Sequence, residues 1–360
     1  MRSTYLLSAC LTLVLARSRS AGPMNWNPLG LLAIRQDGPA KDVGGYPNSP
    51  NLPPPMKPTG SMNETSDTDR LWQNLLAAEW IVWSFYDAAV RSFNGTSFTA
   101  LGLPNKTYQR ITDIRDNEAG HLRIFQSQIS AGTVQPAPCR YDFPFDSSDP
   151  AAFLALVTLI EVASMTFITG LTQQTTNATA RGILAAVGQV ETRHEVWSLL
   201  DVWDASPFSG PSDTVFPYPN EILDVTNRFV IPGSCPPANP IFPNPSQHLP
   251  KLGVAAGTQT VAVGATVQLN FTEPDNQPRF ATGKQYYAVF YHAIEIVSLP
   301  VHTDSWPAEA VSVTIPSQFS AEGVVIMVLA DAEGAPTLYS VVAGPVIFLQ
   351  QPAALGTQVI

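Results

Sequence analysis

The stretch ITDIRDNEAGHLRIFQSQI, residues 111–129, places Ile111, Ile114, Glu118, His121, Phe125 and Ile129 on one helical stripe. Steps of three and four residues return to the same side of an α-helix, so the apolar members of this stripe face a core. Glu118 and His121 ride on that stripe one turn apart and can reach the same point in space. A second stretch, LAAVGQVETRHEVWS at residues 184–198, repeats the device with Leu184, Val187, Glu191, His194 and Ser198 in register. A carboxylate turned toward a core is costly unless something positive meets it.

Two further helical stretches each carry a lone core-facing glutamate. The first, predicted over residues 68–93 with Ser66 and Asp67 placed to cap it, runs Trp72, Leu75, Glu79, Val82 and Tyr86 along its seam. The other, predicted over 150–173, is apolar nearly all round, from Phe153 to Leu171, with Glu161 at its middle. Such a helix is either buried or membrane-spanning, and the carboxylate argues for burial. The full set is therefore Glu79, Glu118, His121, Glu161, Glu191 and His194. Four carboxylates and two imidazoles are the donors with which a helical bundle holds two metal ions. Oxygen and imidazole donors together suit iron or manganese, and also zinc.

With twelve Glu and five His in the chain, one Glu-x-x-His is expected roughly 0.2 times by chance. Two, each on a core stripe, are a stronger signal. The competing structural reading is a set of glutamates hydrogen-bonded in a metal-free core. Tyr86 lies two turns along from Glu79 and is a candidate catalytic residue, able to hydrogen-bond a ligand or be oxidised; a packed core tyrosine is the plainer reading. Asp116 and Asn117 can orient ligands from behind, or simply face solvent. His248, His292 and His302 fall outside the helices and have no ligand role assigned.

Around these helices the 360-residue chain divides by composition. Residues 1–21 read as a secretory signal peptide, with Arg2 before an apolar run too short to span a bilayer. Residues 22–67 are rich in Pro and Gly and read as an extended lead-in, and residues 68–204 hold the four helices. Residues 205–252 are again Pro-rich, with a short helix expected over 221–229. Residues 253–352 change to runs of Val, Ile, Tyr and Phe separated by turn residues, the pattern of a small antiparallel β-sandwich. The fold class expected is therefore α+β in two domains, a four-helix bundle followed by a β-sandwich-like domain. The long connection between the second and third helices suits a bundle with one crossover.

Once Cys10 leaves with the leader, Cys139 and Cys235 remain, an even pair suited to one disulfide, with two free thiols as the alternative. Asn63, Asn94, Asn105, Asn177 and Asn270 each begin a glycosylation sequon. These features fit a secreted, extracellular or cell-wall-associated glycoprotein. A formal charge of −10 without a basic cluster excludes nucleic acid and anionic membrane surfaces as natural partners. No membrane span is expected in the mature chain.

At Glu79, Glu118-Ala119-Gly120-His121, Glu161 and Glu191-Thr192-Arg193-His194, the chain resembles ferritin-like proteins of the di-iron and di-manganese carboxylate class. The resemblance extends from about Thr68 to Trp203 and is greatest to secreted fungal stress-response proteins of the Rds1-like, desiccation-related kind. It implies two metal ions, Fe or Mn, and a reaction with dioxygen or peroxide, such as oxidase or peroxide-removing chemistry. The chain departs from the family at Asn117 and Val190, where many members place an Asp that supports a histidine. A non-catalytic surface or wall scaffold, whose β-domain binds glycan or protein, is the alternative function. Stoichiometric metal that is lost on ligand mutation separates the two.

Overall fold

The computed structural model describes residues 65–208, 214–239, 242–255, 262–319, 323–350 and 358–359. The expected signal peptide, most of the Pro-rich lead-in and the sequon at Asn63 lie outside the described residues. The chain is α+β: a helical region over residues 67–202 is followed by antiparallel β-sheets.

The bundle consists of α1 (Asp67–Ser92), α3 (Thr107–Gln128), α4 (Pro150–Gln174) and α5 (Ala178–Trp197), with α2 (Gly95–Thr99) a single extra turn between α1 and α3. Side chains cap the starts of α1, α4 and α5. Ser66 accepts from Asp69 N, Asp149 from Ala152 N and Asn177 from Ala180 N, each satisfying a backbone donor that has no partner within the helix. α3 has no such cap at Lys106. The packing pairs α1 with α3 and α4 with α5, and residues 129–149 make the crossover between the pairs. Every residue predicted on the core stripes of α1, α3 and α5 is buried. α4 is long and apolar enough to cross a membrane by length and composition, and most of that stretch is buried inside the protein. The fourth helix ends as α-helix at Trp197 and passes into a π-helical turn, Ser198–Val202.

α6 (Pro219–Thr226) lies against α4. A Cβ on Gly170 would come within 2.6 Å of the Phe216 carbonyl oxygen and 2.9 Å of Pro219 Cβ, so only glycine permits this approach. Cys139 and Cys235 form a disulfide that ties the α3–α4 crossover to the segment after α6.

The β-region holds a three-stranded sheet, β1 (Leu252–Val254), β2 (Thr266–Phe271) and β5 (Ser312–Thr314), in the order β1-β2-β5. A five-stranded sheet combines β3 (Tyr286–His292), β4 (Glu295–Val301), β6 (Gly323–Ala330), β7 (Val341–Gln350) and β8 (Gln358–Val359), in the order β4-β3-β6-β7-β8. The apolar run over 285–299 is thus not one strand but a hairpin that turns at Ala293 and Ile294. Ala293 takes a φ of 50° there without the Gly or Asn that marks such turns in a sequence. β6 is buried at every position. Its Val325, Met327 and Leu329 join the core between the sheets, while Val324, Ile326 and Val328 join the core shared with the helices. A sheet covered on both faces reads as a continuous apolar run, which is how residues 323–330 appear.

Candidate metal centre

The six predicted ligands converge in the middle of the bundle from four different helices, Glu79 on α1, Glu118 and His121 on α3, Glu161 on α4, Glu191 and His194 on α5. None is more than 5 % exposed. Their donor atoms fall into two groups that share members. Glu79, Glu118, His121 and Glu191 have ligand atoms all within 4.8 Å of one another, and so do Glu118, Glu161, Glu191 and His194.

The contacts divide the carboxylates into two kinds. Glu118 places Oε2 2.9 Å from His121 Nδ1 and Oε1 3.0 Å from His194 Nδ1. Glu191 likewise places Oε1 3.2 Å from His121 Nδ1 and Oε2 3.6 Å from His194 Nδ1. Each therefore turns one oxygen to either half of the cluster. Of the two histidines, Glu79 meets only His121, at 3.5 Å, and Glu161 only His194, also at 3.5 Å. Glu118 and Glu191 are thus shared by the two halves, whereas Glu79 and Glu161 each belong to one, a division that helical spacing alone does not make.

Electrostatics decide which protonation states the cluster holds without an ion. Burial opposes the charge of Glu118, but the two facing imidazoles more than offset it and hold its carboxyl below the usual range. Glu191 is also held low, where burial and the charge of Glu118 are outweighed by the two facing histidines. Burial pushes Glu161 up to about 8 despite His194, and lifts Glu79 well above the ordinary carboxyl range. Against their own burial, His121 is raised well above the usual imidazole range by Glu118, and His194 by Glu161 and Glu118. The cluster thus holds itself together by sharing protons in the places where cations fit.

Glu79 Oε1, Glu118 Oε1, Glu161 Oε2, Glu191 Oε2 and His194 Nδ1 are buried without a hydrogen-bond partner. The 3.0 Å approach of His194 Nδ1 to Glu118 is close but not aligned as a hydrogen bond. Buried polar atoms are rarely left in this state, and these five belong to one hard-oxygen and imidazole set. The donors present fit a metal site.

Tyr86 is fully buried and donates its hydroxyl to Glu161 Oε1. Burial and the Glu161 charge keep that phenol protonated. Asn117 Oδ1 lies 3.5 Å from His194 Nε2, at the outer limit of a hydrogen bond, so the residue before Glu118 on α3 faces the histidine of α5. Val190 holds the matching place before Glu191 and has no acceptor for His121. Asp116 pairs with Arg115 instead. Outside the bundle, His248 and His302 are exposed, and His292 Nδ1 meets the Val324 carbonyl at 2.8 Å.

One acidic residue beside the site has no role assigned by sequence. Glu195, next to His194, is 2 % exposed and neither carboxyl oxygen has a partner. Burial, then the charge of Glu161, raises it well above the ordinary range. Its position four residues after Glu191 was the available signal, since i and i+4 share a helix face.

Residues 66–199 match the family model of the ferritin-like domain, a span that contains all six cluster residues and Tyr86. No curated protein matches the chain.

Proposed function

We propose that the chain is a secreted ferritin-like metalloprotein with a dinuclear iron or manganese centre, acting on dioxygen or peroxide as an oxidase or peroxide-removing protein in stress. The observation that carries this reading is the division of the cluster into two halves sharing Glu118 and Glu191. A single structural ion needs only one such half. Bound ions of this kind supply Lewis acidity and electrons for a reaction with an oxygen species.

The residues have separable tasks. Glu118 and Glu191 would hold both ions at a fixed separation, while His121 and Glu79 complete one half and His194 and Glu161 the other. Tyr86 keeps a proton on its hydroxyl oxygen and directs it to Glu161, fixing which Glu161 oxygen is left for a cation. Burial of all six ligands limits access to small reactants, which favours dioxygen or peroxide over an organic substrate. Secretion is supported by the Cys139–Cys235 disulfide and by exposed sequon asparagines at Asn94, Asn105, Asn177 and Asn270.

The test is metal analysis of protein secreted by its own kind of host and purified without chelator. About two iron or manganese ions per chain is the expected result, with both lost in Glu118→Ala and Glu191→Ala. No metal after anaerobic loading with either ion, together with an unchanged melting temperature in the variants, would sink the enzyme reading. Attention would then pass to the β-domain as a glycan- or protein-binding scaffold.

A further inference from the structure

On the side of α1 away from Glu79, the structure holds a second cavity, of about 240 Å³. Ala77, Trp80 and Ile81 form its floor. At 100° per residue Ala77 and Ile81 lie about 160° from Glu79 around the helix and Trp80 about 100°, so the cavity is separate from the metal centre. One wall is the crossover segment around Pro136 and Tyr141, the other is made by Asn227, Val230, Cys235, Asn239 and Phe242, and the Cys139–Cys235 disulfide joins the two.

These walls are tied to each other, and to α1, by specific bonds. Tyr141 and Val230 form an antiparallel bridge, flanked by Asp142 N to Phe229 O at 2.8 Å and Ile231 N to Arg140 O at 2.9 Å. Asn239 accepts from Ala137 N and donates to Ala137 O. Trp80 donates Nε1 to Pro136 O at 2.9 Å. Segments serving only to cover α1 gain most by collapsing onto Ala77 and Trp80; here they are pinned at a distance that keeps the space open.

The chemistry of the walls selects the occupant. No lining residue is charged, and the surface is built from Trp80, Tyr141, Phe242 and aliphatic groups. Two polar functions remain unspent. The Tyr141 hydroxyl accepts from Cys139 N but donates to no described residue, and burial keeps its proton in place, with the phenol pushed up to about 12. Asn227 donates Nδ2 to Phe242 O, which leaves its Oδ1 without a donor among the described residues. A cavity of roughly 150 Å³ accommodates benzene, so this one has room for a ring and a short substituent. From the cavity, its aromatic walls and its paired donor and acceptor, we infer that the cleft beneath the disulfide binds a small uncharged phenol. The ring would lie between Trp80 and Phe242, with its hydroxyl accepting from Tyr141 and donating to Asn227.

The test is calorimetric titration of the full, metal-containing chain with 4-ethylphenol. Saturable one-to-one binding with a dissociation constant on the order of 10⁻⁴ M is expected for a ligand of this size. Ala77→Trp, which fills the floor, should abolish it, and Tyr141→Phe should weaken it about tenfold, as should replacing the probe by 4-ethylanisole. The charged analogue 4-ethylbenzoate should not bind. Absence of saturable heat overturns the inference, as does unchanged affinity in a folded Ala77→Trp protein. Should Ala77→Trp fail to fold, Tyr141→Phe and the methyl ether carry the decision, and equal binding in both cases overturns the inference equally.

Discussion

A single carboxylate in the centre of this bundle is worth more or less to metal binding according to how many histidines it meets. Glu118 and Glu191 each face both imidazoles, whereas Glu79 and Glu161 each face one. Glu118→Ala should therefore lose both ions, while Glu79→Ala should keep about one per chain, read by elemental analysis after the same loading. Glu195 makes a different prediction. Its carboxyl is raised by burial, so it is neutral at pH 5 and its contribution to stability is lost as pH climbs above the unfolded value. Glu195→Gln should raise the melting temperature of metal-free protein at pH 8 and leave it nearly unchanged at pH 5. Equal melting temperatures at pH 8 would show that this carboxyl finds a partner. The Glu-x-x-His pairs and both lone glutamates were legible because core-facing polar residues break a 3.6-residue apolar pattern. Glu195 was less legible, because its place four residues after Glu191 marks a helix face but not whether neighbouring elements bury it.

Between helices, the arrangement has a twofold character that the side chains only half respect. Asn117 of α3 approaches His194 of α5, but Val190 of α5 offers nothing to His121 of α3. Val190→Asp should supply that acceptor and tighten metal binding about tenfold, the low end of such supporting contacts; unchanged affinity would place Val190 outside reach of His121. The four helices also share one titration. Glu161, pushed up to about 8, and the raised Glu79, His121 and His194 all favour the protonated folded state. Their contribution is present in full below their unfolded values and declines as pH rises from about 4.5 toward 8 and beyond. The depressed Glu118 and Glu191 act in the opposite sense, losing their contribution as pH falls below about 4.5. Metal-free protein should then melt highest in mild acid and progressively lower toward pH 8, a slope that saturating metal should remove. A flat profile without metal would contradict this proton-sharing. Where α6 meets α4, Gly170→Ala should destabilise by about 1–3 kcal/mol in denaturant unfolding, because backbone and proline atoms stand where the methyl would go.

Across the whole molecule, the sheet and the bundle are not independent, since alternate residues of β3 and β6 face the helices and join their core. The disulfide acts on a similar scale. It closes a separation of 96 residues, so reduction should lower stability by about 4 kcal/mol in the chain-entropy account, measured as a shift in the denaturant midpoint. A negligible shift would mean that the bridge and hydrogen bonds around Tyr141 and Asn239 already restrain both segments.

By itself the sequence determined the four helices, their core stripes, the six polar residues that interrupt those stripes and the change to strands near the end. Each of these follows from local periodicity, which a helix or strand imposes on its own residues. Only the tertiary structure decided which glutamates stand between the two halves of the site. It also decided that the 285–299 run folds back at Ala293 and Ile294, that β6 serves two cores, and that two disulfide-linked segments leave a cavity against α1. The physical reason is common to all four. Burial on a second face, a turn without its usual residue and the meeting of distant segments depend on neighbours far away in the chain, and no periodicity within one segment records them.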